Sequence, residues 1–127
     1  MTRLVPPASA SSEQNGRTTI VTLDGDLDLA NVYAIRQRLS DMLTAAGHDI
    51  VVDLRGVRFA DSTMLSTLLA ALRRVEARRQ RLVLVRPNET VWKAFAVTGL
   101  DNVFTAFDDL AQARVYLADG QGQAITR

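Results

Sequence analysis

The sequence predicts an α/β domain: a mostly parallel sheet of four to five strands, one antiparallel strand at its edge, and four helices. Three observations predict it. Short apolar runs alternate with longer stretches in which apolar residues recur every three or four positions, the signatures of buried strands and amphipathic helices. Strands that alternate with helices imply right-handed crossovers and hence parallel pairing. At 127 residues the chain has the length of one domain, enough to bury roughly two thirds of its unfolded surface in a single core.

Residues 1–8 are rich in Pro and small residues, show no periodicity, and are expected to form a disordered tail. An edge strand from about Ala8 to Gln14 turns at Asn15-Gly16, a strong hairpin dipeptide. Arg17 to Leu23 is the second strand, and Asp24-Gly25-Asp26 is expected to break it. From Ala30 to Ala46, the residues Val32, Ile35, Leu39, Met42, Leu43 and Ala46 line one helical face, and Gly47 stops the helix. Ile50 to Leu54 is a short strand buried on both sides.

Leu65, Leu68, Leu69, Leu72 and Val75 keep helical spacing, so a second helix runs from about Ser62 to Arg79. The arginines at its end (Arg73, Arg74, Arg78, Arg79 and Arg81) read as a solvated helix terminus, where the negative end of the dipole favours cations. Leu82 to Val85 is a buried strand closed by Pro87, and Asn88 caps a third helix, Glu89 to Thr98, which ends at Gly99. Its Trp92 and Phe95 read as core or core-edge residues. A brief strand follows at Val103 to Ala106. Asp108 or Asp109 then opens the last helix, with Leu110, Ala113, Val115 and Leu117 on its inner side. The domain thus spans residues 9–118, between the tail at 1–8 and a frayed end at 119–127.

Composition excludes several functions. The chain has no cysteine, which removes disulfides, thiol chemistry and Cys-ligated metals. Its one histidine, His48, follows a helix end and is expected at the surface, so no His cluster or His-paired triad is available. Fifteen basic residues against fourteen acidic ones leave a net charge of +1, without the excess that nucleic-acid binding usually requires. The apolar runs are too short to span a bilayer, and the N-terminus lacks the apolar core of a signal peptide. A cytoplasmic protein is expected. There is no G-x-G-x-x-G, Walker A, H-E-x-x-H or G-x-S-x-G motif. Neither an enzyme nor a bound cofactor or metal is expected.

In an open parallel sheet, function gathers at the carboxyl ends of the strands. Two segments meet that description: Gly25-Asp26-Leu27-Asp28, and Phe59-Ala60-Asp61-Ser62-Thr63. The acids Asp26, Asp28 and Asp61 read singly as turn formers or caps. Ser62 opens a helix, where backbone N–H groups are unpaired and the dipole is positive. Two readings stand: Asp61 or Ser62 is simply the N-cap, or Ser62 is a phosphoacceptor whose added charge the helix end would tolerate.

Three strings resemble the STAS domain family, the anti-sigma factor antagonists. Val51-Val52-Asp53-Leu54, followed by Val57-Arg58-Phe59-Ala60-Asp61-Ser62-Thr63, resembles the family's strand, loop and D-S-[ST]-G signature. Gly25-Asp26-Leu27-Asp28 is similar to its G-[ED]-apolar-D turn, and Phe95 to Leu100 to its F-x-x-[ST]-G-L helix end. The resemblance covers about Gly16 to Leu117. It implies a STAS-like fold and a partner-switching regulator of transcription. The unmodified protein would bind an anti-sigma factor that is also a serine kinase, and phosphorylation at Ser62 would release it. A serine phosphatase would reset the switch. Thr63 is a second possible acceptor. The partner-binding residues implied are Asp28, Asp61, Ser62, Thr63, Met64 and Leu65.

Met64 and Ser66 stand where the family has glycines. A flexible apolar side chain beside Ser62 is expected either to block a kinase or to remake the contact surface. The alternatives are an unphosphorylated interaction subunit of a lipid-transport or stress-signalling complex, and a flavodoxin-like nucleotide binder working through Asp28 and Asp61.

Overall fold

The computed structural model describes residues 9–45 and 49–119. Along the chain it contains β1 (Ser9–Asn15), β2 (Thr18–Leu27), α1 (Leu29–Ala45), β3 (Asp49–Ala60), α2 (Ser62–Ala77), β4 (Leu82–Val85), α3 (Glu89–Val97), a 3-10 turn at Leu100–Asn102, β5 (Thr105–Phe107) and α4 (Leu110–Asp119). The five strands lie side by side in chain order. β1 pairs antiparallel with β2, and every other pairing is parallel. This is the mixed sheet with one antiparallel edge that the alternation of elements predicted.

Alternate residues of each strand point to opposite faces, and both faces of the sheet are covered. On one face Val21, Leu23, Ile50, Val52, Leu54, Leu82 and Leu84 pack with Ile35 and Leu39 of α1, Leu65, Leu68 and Leu72 of α2, and Phe95 of α3. On the other, Ile20, Val51, Val83 and Val85 meet Ala113 and Leu117 of α4. Each fully buried aliphatic side chain contributes about 1.5–3 kcal/mol. Of the predicted α1 face, Ile35 and Leu39 are buried and Met42 packs at the core's edge. The side chains of Val32, Leu43 and Ala46 lie outside the described residues, as do the Gly47 stop, His48, residues 1–8 and the end after 119. Phe95 is buried and stacks on the partly buried Trp92 at 4.8 Å.

Asp24-Gly25-Asp26 does not end the second strand. β2 continues to Leu27 and β3 to Ala60, so both run well past their predicted ends. Two register shifts, between Thr22 and Asp24 and between Gly25 and Asp26, absorb the irregularity as bulges. Gly25 supplies the positive φ of 92°. Gly56 of β3 supplies space: a Cβ there would lie 1.8 Å from Asp24 Oδ1.

Smaller corrections have local causes. α2 stops at Ala77, with Arg79 in the left-handed region at φ 62°. The strand predicted at Val103 to Ala106 is shifted to Thr105–Phe107, because the 3-10 turn takes up the chain before it. Val115 is exposed rather than inward; it sits two residues past Ala113, about 200° around the helix.

Candidate functional site

The long β2 and β3 bring both predicted segments to one edge of the sheet. Asp26 pairs with Phe59 and Leu27 with Ala60. Just beyond, the Asp61 amide donates to the Leu27 carbonyl at 3.2 Å. Asp28 is the next residue after Leu27, so Asp28 and Asp61 stand at the two strand exits, one before each helix.

Each of these aspartates caps the helix that follows it. Asp28 Oδ1 accepts from the Asn31 amide at 3.2 Å and from Asn31 Nδ2 at 3.1 Å. Asn31 Nδ2 also donates to the Asp26 carbonyl at 2.6 Å, fastening the turn. Asp61 is extended (φ −94°, ψ 178°), and its Oδ1 accepts from the Met64 amide at 3.1 Å. The N-cap of α2 is therefore Asp61, and Ser62 is the first helical residue. Two helix N-termini lie side by side here, each with unpaired amides and a partial positive charge.

Ser62 is exposed and Thr63 half-buried. Asp28 and Asp61 are half-buried. Met64 and Leu65 are not at the surface: they are 0% and 4% exposed, inside the core formed with β2 and β3. This corrects their assignment to partner binding and the expectation that Met64 shields Ser62 or remakes its surroundings. Met64, two places along the helix, is turned roughly 200° away from Ser62 toward the sheet. Leu65, three places along, returns to within about 60° of Ser62 but one turn deeper, among the core residues.

Phe59, which the sequence marks only as part of its segment, is half exposed on β3, three residues before Ser62. It lies one residue before the end of β3, and its exposure has no local signature in the sequence. Arg58 beside it pairs with Asp26, Nε to Oδ1 at 3.3 Å, across the β2–β3 boundary. Asn31 carries a single sequence signal for its role, its place three residues after the capping Asp28.

Nearer the sheet's centre, Asp53 is buried and held by Arg55, with Nη2 to Oδ2 at 2.8 Å and Nε and the backbone N to Oδ1 at 3.0 Å. Burial pushes this carboxyl up. The Arg55 hydrogen bonds and charge outweigh it, so the net direction is below the usual carboxylate range. Among the described residues, no group of three or more His, Asp or Glu is placed to hold a metal ion. No helix among them is long and apolar enough to cross a membrane.

A five-stranded mixed sheet flanked by four helices, with two capped helix starts at one end, defines a small α/β domain of STAS type. The chain belongs to the STAS domain family: the family model described as "Mlab, STAS domain" matches residues 10–111. An anti-sigma F factor antagonist of Lysinibacillus sphaericus is 32% identical over 84 residues, which are 65% of this chain and 72% of that protein. A crystal structure of an anti-sigma factor antagonist from Mycobacterium paratuberculosis superposes with a TM-score of 0.83 at 22% identity, over 91% of this chain and 100% of that one. The anti-sigma factor antagonist SpoIIAA in its unphosphorylated form gives a TM-score of 0.72 at 26% identity, over 91% of this chain and 100% of its own. The phosphorylated form of SpoIIAA from Bacillus gives 0.63 at 28% identity, over 84% and 99%.

Proposed function

We propose that this protein is an anti-sigma factor antagonist that binds a kinase-type anti-sigma factor through the start of α2 and is released when Ser62 is phosphorylated. The observation that carries this reading is the division of labour between neighbours. Asp61 satisfies the helix cap, which leaves the exposed Ser62 hydroxyl without a structural duty at the cap. Similarity to anti-sigma factor antagonists supports the partner class. Similarity to a protein with both a phosphorylated and an unphosphorylated structure supports the switch.

In the transfer, Ser62 Oγ attacks the γ-phosphorus of ATP held by the kinase. The O–P bond forms, the bond to ADP breaks, and the hydroxyl proton passes to a base on the kinase. The phosphate adds about −1.5 to −2 charges at the positive end of α2, so the fold tolerates it. A docked partner meets new charge and bulk beside Asp28 and Asp61. A serine phosphatase restores the hydroxyl by hydrolysis. Asp28, Asp61, Ser62 and Thr63 form the contact surface, with Thr63 as the second acceptor. The protein acts by binding rather than by catalysis, in the cytoplasm where ATP and the transcription machinery are found.

Incubation with the cognate anti-sigma factor and ATP, followed by phosphosite mapping, tests this. Phosphate at Ser62 is the expected result. A stable complex with no phosphate at Ser62 or Thr63 would instead support the second reading, an unphosphorylated interaction subunit of a larger assembly. The "Mlab" description of the matching family model favours that reading.

A further inference from the structure

Between α1 and α2 runs a groove of about 530 Å³, whose lining includes Arg36 and Ser40 of α1 and Thr63, Ser66, Ala70 and Arg74 of α2. From Thr63 to Arg74 it follows α2 for about 16 Å, three helical turns. It therefore starts beside Ser62 and leads away from it. Small residues at Ser66 and Ala70 keep the α2 wall low, so a third backbone can approach closely.

The groove's charge is one-sided. No acidic side chain lines it among the described residues. Arg36 lies over the ring of Tyr33 at 5.4 Å, and Arg74 Nη1 donates to Ser40 Oγ at 3.4 Å. Both guanidiniums are thus held by neutral groups, and neither forms an ion pair among the described residues. The acid on α1, Asp41, is engaged by Gln37 at 3.1 Å. Elsewhere the protein pairs its arginines with aspartates, as at Arg55–Asp53 and Arg81–Asp49.

We infer that this groove docks an acidic helical segment of the anti-sigma factor, with Arg36 and Arg74 receiving carboxylates on its exposed flank. The inference rests on the partner class proposed above. Three features select this occupant. The length suits three turns of helix, the low wall suits helix-in-groove packing, and two arginines with no ion-pair partner among the described residues complement negative charge. The site couples docking to the switch, because the segment's near end would lie beside Ser62 and meet a phosphate there as like charge.

Calorimetric binding of the purified anti-sigma factor to wild type, R36E, R74E, R36E/R74E and S62D tests it, with thermal melts to show that the variants are folded. Both arginines border solvent, so the fold is expected to survive. Juxtaposing like charges weakens such contacts strongly, and the double reversal is expected to lose about 100-fold in affinity at low salt. The loss should shrink at 0.5 M salt as screening shortens to a few ångströms. Exchanging two acidic residues of the partner's docked helix for arginine should restore binding to the double variant.

Binding of the double variant within about twofold of wild type overturns the groove assignment. If S62D alone fails to bind, the groove falls and the switch stands. If R36E/R74E fails and S62D binds as wild type, the switch falls and the groove stands. If no anti-sigma factor binds the wild type, both fall.

Discussion

Asp61 Oδ1 accepts a hydrogen bond from the backbone amide of Met64 at 3.1 Å, and this bond sorts the roles of four consecutive residues. Asp61 is spent on the cap, Ser62 faces solvent, Thr63 borders the α1–α2 groove, and Met64 turns into the core. The serine is therefore chemically available at a point where the helix is already closed without it.

The cap has a measurable value. Asp61→Ala removes an N-cap acceptor and is expected to lower stability by about 1 kcal/mol, whereas Asp61→Asn keeps an acceptor and most of the stability. Urea unfolding of the two variants against wild type checks this. A loss confined to binding, with stability unchanged, would show that Asp61 is not the structural cap.

Met64 invites the opposite experiment to the one its sequence position suggests. Restoring the family's glycine would seem to uncover Ser62, but Met64 is 0% exposed. Met64→Gly is expected to open a cavity and loosen the first turn of α2. The combined loss is about 3–5 kcal/mol in chemical denaturation, and Ser62 gains no accessibility. An increase in the phosphorylation rate of folded protein would contradict this placement.

Asp53 and Arg55 predict an acid-sensitive component of stability. The folded carboxyl lies below its ordinary value of 3.8, so the unfolded chain binds the proton first. The resulting stabilisation is present above about pH 4 and is lost as pH falls through the folded value. The wild-type advantage over Asp53→Asn in urea midpoint is expected to shrink between pH 6 and pH 3. At neutral pH, Arg55→Met should lose about 1 kcal/mol, a modest figure because the guanidinium is half exposed and screened. An advantage that stays constant across this range would assign the pair no electrostatic role.

Much of this fold is legible in the sequence because its signals are local. Leu82–Val85 and the Asn88 cap of α3 are read directly, since an apolar run and a capping residue act over a few positions. Asp24-Gly25-Asp26 misleads because turn-forming chemistry is decided by the neighbouring strand. The bulges in β2 and the bare Gly56 opposite Asp24 keep the ladder going. Arg81 looked like one more arginine of a solvated helix end, yet it is bound to Asp49, 32 residues away, at 2.6 Å. The site divides the same way. Its two segments are legible as strand ends followed by helix starts. The burial of Met64 and Leu65, the exposure of Phe59 and the one-sided groove depend on which helix covers which strand, and only the packed structure determines that.

The most direct test of the switch is calorimetric binding of the anti-sigma factor to wild type, Ser62→Ala and Ser62→Asp, with circular dichroism to show that all three are folded. Ser62→Ala is expected to bind as wild type does. Ser62→Asp is expected to keep its fold, since a negative charge suits a helix N-terminus, and to lose binding by at least about tenfold, roughly 1.4 kcal/mol. Equal affinity of the alanine and aspartate variants would contradict Ser62 as the point at which this protein lets go of its partner.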